Sequence, residues 1–550
     1  MRKRICGTET EYSFYILDED ADFLDLNRHN GTKSISWKDL FDREYAKKYS
    51  CLEYFLGSSS KMFFLNGGCY HNDNGSGVSM GNSRVVGVPT PEYATPECVS
   101  ARDLVLHEKA GDIIMRDLLG LEGKNKDSVA VYKHVRGLAP SEGPDSDSYD
   151  STSGHHENYS ITTEFESSLS SLFIESGAVG LNMVQKILSN FLISRIVLSG
   201  SGWFSIGNFS LNSEYPFQLS PRVRFLDRVL CQSTTSNRGL INVGRREPLI
   251  GTLSGGLGPP PFQRVHIIGG DSNMSETSIY LTAGMTMLVF KMTASGILNN
   301  MPSFQNPIDA LYRFNSDPTL RIVAPLEKPN YFFGGQETTA VSMQKYFLLK
   351  AKDFAESHNL SEEEEDIIKL WEECLNMLED DFRSLAGILD WPTQFCLTED
   401  FLEQNGSSFD GLRIDYCERG LYPGDLVKKC VGLNLNYHAI TGKGIYNKLV
   451  SEGMMTRIVN DEEIELATLV PPGDTRAWAR HIFLKVVERE FPKFEILTVD
   501  WDRLIWKKRG LYYDARIELT DPFVKNYKML YSLLERDFPE TFREVIKDVA

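Results

Sequence analysis

The stretch that decides the fold is RICGTETEYSFYI, residues 4–16 of a 550-residue chain. Apolar and polar residues alternate along it, and aromatic and β-branched residues are frequent, so it predicts a β-strand with one buried face. Glu9 and Glu11 stand two residues apart, which projects both carboxylates from the same face. Two such acids repel unless a cation lies between them, and oxygen ligands suit Mg²⁺. A solvated strand face is the alternative.

Strand patterns recur through the first half of the chain, and helical patterns dominate the second half. The further strands are expected at 62–66, 129–133, 157–163 and 264–269. Helices are expected at 102–120, 177–198 and 278–298. This order of elements predicts the α+β class, in which an antiparallel sheet packs against segregated helices.

A helix start is expected at Ser361, because Glu364 follows at the spacing of a capping box. Apolar residues then recur at helical spacing, which predicts a stripe that packs into the core. The stripe consists of Ile367, Leu370, Trp371, Leu375 and Leu378.

The composition excludes several classes of function. The chain has 58 Lys and Arg against 76 Asp and Glu, so its formal net charge is −18 and no nucleic-acid partner is expected. No run approaches the roughly 18 apolar residues of a membrane span, and the basic N-terminus lacks the apolar core of a secretory signal. Nine scattered cysteines without a CxxC pair indicate neither a disulfide framework nor a zinc site. We therefore expect a cytoplasmic protein without a membrane association.

Three segments look like insertions into a common core. They are 74–90, 139–154 and 249–262, which are rich in Gly, Ser, Asp or Pro. The middle one is poor in hydrophobic residues, which favours disorder.

Four short constellations carry groups that are able to do chemistry. In NGGCYHND and TPEYATPE, Asp73 and Glu92 are carboxylates next to sharp turns, although each motif alone is typical of a hairpin or loop. HHENY, residues 155–159, opens a strand after a glycine, and RVH places Arg264 and His266 on one strand face. Together they predict a site for phosphate and Mg²⁺ built on a sheet.

At this point the sequence resembles the Pup ligase and depupylase family, whose members are called PafA and Dop. The resemblance is carried by GTETEY (7–12), NG-x5-D (66–73), PEYATPE (91–97), HHENY (155–159), RVHIIGGDSN (264–273), KGIYNKLVSEG (443–453) and PPGDTRAW (471–478). These motifs and a terminal WDRLIW follow the family order from residue 7 to 506. The family is similar in fold to glutamine synthetase and the carboxylate–amine ligases.

The resemblance implies roles for nine residues and two cofactors, ATP and Mg²⁺. The catalytic aspartate of the family corresponds to Asp73. The implied metal ligands are Glu9, Glu11, Glu92 and His71, and the implied contacts to ATP or substrate are Thr95, Arg222, Arg264 and Trp501. It also implies a catalytic domain over 1–455 that resembles glutamine synthetase, and a small C-terminal domain over 456–550 that contributes to the nucleotide site.

Departures from the family pattern lie at the rim of this site. The family has an ATP-binding arginine at the position of Cys69 and a metal-contacting tyrosine at the position of His71; Tyr70 takes the place of that tyrosine if the alignment slips by one residue. Thr90 replaces a histidine, and the family's INTRDEPHAD reads INVGRREPLI with an insertion. A Pup-like modifier, rather than Pup itself, is therefore one expectation.

The resemblance favours the depupylase branch over the ligase branch. Thr8, Tyr12, Pro96 and Asp474 are depupylase-like, whereas a shortened loop before the NG motif and the GDSN sequence are ligase-like. A depupylase would remove Pup from lysines or deamidate its terminal glutamine, in a pathway linked to a bacterial proteasome. A Pup ligase, a small-molecule carboxylate–amine ligase and a catalytically silent modifier-binding protein are the alternatives.

Overall fold

The computed structural model describes most of the chain, with gaps mainly in its first half. The described residues are 4–18, 21–25, 48–49, 61–73, 90–121, 129–133, 135–138, 149–162, 167–173, 180–205, 215–234, 237–244, 262–419, 424–525 and 527–549. Most of each segment that we interpreted as an insertion lies outside these residues.

Strands form within each of the five predicted segments, although 62–66 is in a strand only at residues 62 and 63, and further strands occur. The strands are β1 (Cys6–Glu11), β2 (Ser13–Asp18), β3 (Ala21–Asp25), β4 (Lys61–Phe63), β5 (Cys69–Asp73), β6 (Thr90–Ala94), β7 (Val129–Tyr132), β8 (Val135–Leu138), β9 (Tyr149–Thr152), β10 (His155–Thr162), β11 (Trp203–Phe204), β12 (Phe217–Gln218), β13 (Arg228–Cys231), β14 (Gly239–Asn242), β15 (Phe262–Gly270), β16 (Ala324–Asn330), β17 (Gly335–Thr338), β18 (Phe494–Val499), β19 (Arg503–Lys508) and β20 (Ala515–Glu518).

Helices fill the second half of the chain, as predicted. They are α1 (Ala101–Leu118), α2 (Met183–Ser199), α3 (Glu276–Ser295), α4 (Pro307–Asn315), α5 (Ala340–Ser357), α6 (Glu362–Asp381), α7 (Asp390–Gln404), α8 (Phe409–Arg413), α9 (Gly424–Tyr437), α10 (Ile445–Ser451), α11 (Asp461–Ala467), α12 (Arg476–Glu490), α13 (Lys528–Asp537) and α14 (Pro539–Asp548). Short 3₁₀ segments cover Ser167–Phe173, Val223–Phe225 and Phe382–Leu385, and a π-helical turn covers Ile414–Glu418.

The large sheet has eight strands among the described residues, in the order β13-β14-β15-β10-β1-β6-β5-β4. Neighbouring strands run antiparallel except β13 and β14. The strand of residues 4–16 that we expected is broken at Tyr12, and its second part joins a separate sheet with β3 and β7 as β2. The α+β class is confirmed.

The main hydrophobic core lies between the back face of the sheet and α2, α3, α5 and α6. Tyr159 of β10 contacts Phe290 of α3, with ring centroids 5.5 Å apart, and Phe191 of α2 lies 6.4 Å from Trp371 of α6. Ser361 caps α6 in a complete capping box with Glu364, as predicted. Each fully buried large apolar side chain contributes roughly 1.5–3 kcal/mol, so this packing holds the sheet rigidly from behind.

The end of the chain has an apolar cluster of its own, between the sheet β18-β19-β20 and α12, α13 and α14. Phe483 of α12 packs on Trp506 of β19, with ring centroids 5.2 Å apart. Helix α11, which precedes this cluster, packs against α1 and contributes Ile464 to the main core. The domain boundary after residue 455 stays a prediction.

Two absences concern the described residues alone. The helices found there include none with the length and apolar character that a membrane crossing requires. The described cysteines carry free thiols, in agreement with the expectation from their spacing.

Candidate active site

One face of the large sheet collects the polar residues of the sequence motifs. Residues directly opposite each other on antiparallel strands share a face. Glu9 of β1 stands opposite His156 of β10, and Asn158 of β10 stands opposite His266 of β15. Glu11 stands opposite Glu92 of β6. Glu9 and Glu11 lie on the same side of β1, because they are two residues apart and alternate with buried neighbours. Their partners on the neighbouring strands therefore share that side, which we call the front face and which carries the site.

The centre of the front face is a cluster of one carboxylate and two imidazoles. His156 Nδ1 lies 3.2 Å from Glu9 Oε2, and His266 Nε2 lies 3.7 Å from the same oxygen. The two imidazole rings meet edge to face, with centroids 5.0 Å apart. Burial would raise the pKa of Glu9, but His156, His266 and Arg264 outweigh it and hold the pKa well below its usual range. Glu9 is therefore an anion at neutral pH.

This cluster has the geometry of a metal site. One ligand atom from each of Glu9, His156 and His266 falls within 4.8 Å of the others, and these three form the one such group among the described residues. A carboxylate is a good ligand for Mg²⁺ or Mn²⁺. Imidazoles bind a range of first-row transition ions, Zn²⁺ among them. The three side chains therefore fit a divalent cation. The imidazoles of His156 and His266 are not among the ligands predicted from the sequence.

Sequence reasoning missed His156 and His266 as possible ligands. Alternation along β15 predicts that Arg264 and His266 share one face, and HHENY by itself indicates only the start of a strand. The signal that identifies the pair is the pairing of β10 with β15, which are separated by about a hundred residues and whose neighbourhood is a tertiary fact. Spacing within either motif does not show that both histidines reach Glu9.

Glu11 and Glu92 form a second acidic pair beside this cluster. Their Cα atoms are register partners, and Glu92 is buried. One Glu11 oxygen accepts the Gly154 N–H at 2.6 Å. A methyl group on Gly154 would meet the Glu11 carboxyl carbon at 2.9 Å, so glycine is required for this close approach. Glu11 is thus held in place by the backbone just before β10.

Strand β5, which carries the expected catalytic residue Asp73, pairs with β6, the strand of Glu92. In the backbone register, His71 pairs with Glu92 and Asp73 pairs with Thr90. The side chains of His71 and Asp73 lie outside the part of the chain whose side chains are described. Their roles as metal ligand and catalytic residue stay predictions, and the register keeps their backbone beside Glu92.

The turn before β5 is held by side chains as well as by its glycines. Asn66 donates to the Tyr93 hydroxyl at 2.8 Å and accepts the Gly68 N–H at 3.0 Å. Gly67 has a φ of 78°, which few other residues adopt. A Cβ on Gly67 would also lie 2.9 Å from the Cβ of Ala477 on α12. The glycines of the NGG motif therefore let the start of β5 pack closely against α12.

The two arginines predicted at the nucleotide occupy different surroundings. Arg264 lies on the front face, where one Nη1 reaches Asn158 Oδ1 at 3.0 Å and Glu9 Oε1 at 3.4 Å, and its side chain is 31% exposed. Arg222 is buried and donates to the carbonyls of Ile268 at 2.8 Å and Ser153 at 3.2 Å. Burial lowers the pKa of Arg222 to about 10. The described contacts of Arg222 thus support the backbone beside Gly154.

Thr95 and Trp501 also have described partners within the protein. The Thr95 hydroxyl accepts the Thr8 N–H at 2.9 Å, which fastens the segment after β6 to β1. Trp501 is partly buried, with its ring 5.2 Å from Phe63 and 4.9 Å from the guanidinium of Arg480. Trp501 therefore lies where the C-terminal cluster approaches β4, close to the turn at Gly67.

Buried ion pairs stabilise the strands from behind. Glu157, next to His156, accepts from Arg195 of α2 at 2.5 Å and 3.0 Å. Lys133 lies 3.4 Å from Glu108 and 3.1 Å from Asp112, both on α1. Such pairs cost desolvation, but removal of one partner leaves a buried charge, so they resist local change. The Arg195 pair therefore fixes β10 from behind, and the Lys133 pairs join α1 to the end of β7.

Comparison with known proteins matches nearly the whole chain. A protein family described as "Pup-ligase protein" matches residues 4–505. The Pup deamidase/depupylase of Mycolicibacterium smegmatis is 30% identical over 424 residues, 76% of this chain and 73% of that protein. The Pup–protein ligase of Acidimicrobium ferrooxidans is 29% identical over 541 residues, 97% of this chain and 99% of that protein.

Solved structures agree with these matches. The complex between Pup and its ligase PafA has a TM-score of 0.71 at 25% identity, and covers 100% of this chain and 95% of that chain. The Pup ligase PafA in complex with ADP has a TM-score of 0.66 at 25% identity, and covers 92% of this chain and 96% of that chain. Both the depupylase and the ligase name thus occur among the relatives.

Proposed function

Because the chain belongs to the Pup ligase and depupylase family, we propose that it is an ATP- and Mg²⁺-dependent depupylase and deamidase. It hydrolyses the isopeptide bond between the C-terminal glutamate of Pup, or of a Pup-like modifier, and a substrate lysine. On the free modifier it hydrolyses the side-chain amide of a terminal glutamine. Its partners are the modifier and its conjugates, in a cytoplasmic pathway that leads to a bacterial proteasome.

The observation that carries this proposal is the cluster of Glu9, His156 and His266 with Arg264 beside it on the front face. An anionic carboxylate and two imidazoles are ligands for a divalent cation, and an adjacent partly exposed guanidinium is a donor to phosphate oxygens. A site that places these groups side by side suits the triphosphate of a metal-bound nucleotide. The ADP complex of a Pup ligase with similar structure supports the same assignment.

Apart from Asp73, the residues of the site have two roles. Glu9, Glu11, Glu92 and His71, with the newly identified His156 and His266, hold the metal. Thr95, Arg222, Arg264 and Trp501 hold or position the nucleotide. When bound, the metal neutralises phosphate charge and fixes the orientation of the phosphates.

Asp73 acts at the scissile amide in this proposal. A carboxylate can attack the amide carbonyl directly or can take a proton from the attacking group. The backbone position of Asp73 opposite Thr90, one alternation from the His71–Glu92 pair, supports a place beside the metal ligands. Tyr93 and Asn66 hold the turn that leads into its strand, which keeps that place fixed.

The depupylase branch is supported by Thr8, Tyr12, Pro96 and Asp474, and by 30% identity to a Pup deamidase/depupylase. The second candidate is a Pup–protein ligase, which is favoured by a match to such a ligase over 97% of this chain. In that reaction ATP phosphorylates the modifier's γ-carboxylate, and the lysine amine displaces phosphate while Asp73 accepts its proton. A small-molecule carboxylate–amine ligase is a weaker alternative, because it does not account for the C-terminal motifs.

The test uses the full chain with Mg²⁺-ATP and the modifier, both free and conjugated to a substrate protein. Release of the modifier, or ammonia from a terminal glutamine, with ATP needed only in catalytic amounts supports the depupylase. New conjugates formed with one ATP consumed per bond would instead establish the ligase. Absence of both reactions with every Pup-type modifier would contradict the proposal.

Asp73→Asn tests the site assignment separately. We expect it to abolish turnover and to leave the binding of ADP intact, since the amide keeps the size of the carboxylate but neither attacks nor accepts a proton. Glu372→Gln on the surface of α6 is the matched control and should behave like the wild type. Full activity of Asp73→Asn would refute the catalytic role.

A further inference from the structure

The chemistry proposed above does not use a buried group of charges between the large sheet and α12. It consists of Glu97, in the segment after β6, with Arg476 and Arg480, which lie one turn apart on α12; we call it the Glu97 clamp. Arg476 Nε donates to Glu97 Oε1 at 2.6 Å, and Arg480 Nη1 donates to the same oxygen at 3.1 Å. Arg480 Nη2 donates to the other oxygen of Glu97. All three side chains are buried.

Arg480 also contacts both segments that border the proposed nucleotide site. Its Nη2 donates to the carbonyl of Gly67 at 3.1 Å, and its Nη1 donates to the carbonyl of Trp501 at 2.9 Å. Its guanidinium carbon lies 4.9 Å from the centre of the Trp501 ring and 5.7 Å from that of Phe63. One side chain thus sets the distance between the turn that begins β5 and the ring of Trp501.

Arg476 provides a useful contrast within the same clamp. It shares Glu97 with Arg480, but its other described side-chain bond is to the carbonyl of Leu519, at 2.9 Å. It therefore attaches the end of β20 to the large sheet without contact to Trp501 or Gly67 among its described partners. Because Glu97 lies between two arginines, burial is outweighed and its pKa is lowered to about 2.

We propose that Arg480 is a positioning residue of the nucleotide site, held by Glu97, which orients the ring of Trp501 relative to the Gly67 turn and the strand of Asp73. The inference rests on the proposed role of Trp501 as a nucleotide contact. Only a planar fork with several donors satisfies two carbonyls and a carboxylate while it stacks on a ring, so lysine cannot replace this arginine. Arg476 is an anchor of the C-terminal cluster and not a positioning residue for the ring.

The experiment measures the binding of N-methylanthraniloyl-ADP with Mg²⁺ to the full chain. Its readouts are the dissociation constant and the energy transfer from Trp501 to the fluorophore, and Trp501→Phe defines the part of the signal that Trp501 supplies. We expect Arg480→Lys to raise the dissociation constant about 10-fold, the loss that a misplaced aromatic contact produces, and to reduce the transfer. Arg476→Lys should leave both readouts near those of the wild type.

The variants separate the possible failures. If Trp501→Phe leaves ADP binding unchanged, the proposed nucleotide role of Trp501 is wrong and the positioning role falls with it. If Trp501→Phe weakens binding but Arg480→Lys does not, only the positioning role is refuted. Equal weakening by Arg476→Lys and Arg480→Lys, in step with their loss of thermal stability, would show that the clamp is merely structural.

Two further variants keep the outcome decisive. Glu97→Gln removes the charge that holds Arg480, so it should lower transfer and affinity in the same direction, and it replaces Arg480→Lys if that protein does not fold. Arg457→Gln breaks the ion pair with Glu276, at 2.5 Å, elsewhere in the chain. It controls for destabilisation and should not change ADP binding. An unchanged Glu97→Gln protein would overturn the proposal.

Discussion

Substitution of Gly154 by alanine tests whether Glu11 is a metal ligand, with little disturbance of the fold. The added Cβ would lie 2.9 Å from the carboxyl carbon of Glu11 and 3.0 and 3.2 Å from its two oxygens. No backbone atom lies among these nearest neighbours, and Gly154 does not have a left-handed conformation. Alanine is therefore tolerated by the backbone, and relief comes from movement of the Glu11 carboxylate.

The expected magnitudes differ for stability and for metal binding. Displacement of Glu11 lengthens the 2.6 Å bond from the Gly154 N–H, and loss of a hydrogen bond to a charged group costs about 1.5–3 kcal/mol. Part of this loss is recovered because alanine reduces the entropy of the unfolded chain by about 0.4–1 kcal/mol. Loss of an outer-shell contact that orients a metal ligand, which is the role of the Gly154 N–H toward Glu11, typically weakens metal affinity or activity by about 10–100-fold. Function should therefore suffer far more than stability.

The assay combines urea unfolding with calorimetric titration of Mn²⁺ and with turnover as a function of Mg²⁺ concentration. The matched control is Gly335→Ala, because a Cβ at Gly335 meets nothing within 4 Å. We expect Gly154→Ala to require about 10-fold more metal for half-maximal turnover while its unfolding midpoint shifts modestly. If its metal dependence equals that of Gly335→Ala, Glu11 is not a ligand and the reasoning is refuted.

Three other changes have outcomes that the described contacts determine. His156→Ala and His266→Ala should each weaken Mn²⁺ binding by at least about 10-fold in calorimetry, since removal of a ligand should cost no less than removal of a residue that orients one; equal binding by both variants and the wild type would exclude them as ligands. Glu157→Gln should lower the free energy of unfolding by about 3–5 kcal/mol, since Arg195 is left buried without its carboxylate, whereas the exposed Glu372→Gln should change it by no more than about 1 kcal/mol. Burial lowers the pKa of His481 to about 4 from 6.5, so its contribution to stability is complete above pH 6.5 and is lost as the pH falls to 4. The loss amounts to about 3 kcal/mol in urea unfolding, and His481→Gln should show a correspondingly flatter pH dependence between these values.

Local patterns in the sequence were sufficient for the longer helices, for part of each predicted strand and for the face that β1 presents. The alternation that puts Glu9 and Glu11 on one side of β1 is a property of six consecutive residues, and the structure reproduces it. The capping box at Ser361 is likewise complete within four residues. In both cases the interactions that decide the structure lie within a few residues of one another, so they are readable without the fold.

What the sequence could not show is which distant segments become neighbours. His156 and His266 meet Glu9 because β10 lies between β1 and β15, an order that depends on packing of the whole sheet. The ion pair of Arg480 with Glu97 joins residues that are 383 positions apart. The sequence motifs that contain these residues are recognisable, but none of them carries information about its partner in the fold. Family resemblance supplied roles for single residues and left these contacts to the structure.

The charges of the front face explain why metal and nucleotide should bind together. Glu9 lies 3.4 Å from Arg264 and beside the imidazoles of His156 and His266, and Glu11 stands opposite Glu92 in the strand register. A divalent cation bound by these carboxylates, as proposed, would take over part of the neutralisation of Glu9. The bond of Arg264 to Glu9 is long, so its guanidinium would then be held less tightly by Glu9 and could donate to a phosphate oxygen. Under the proposed function, each ligand would therefore remove a cost of binding the other, and by linkage the coupling would be reciprocal.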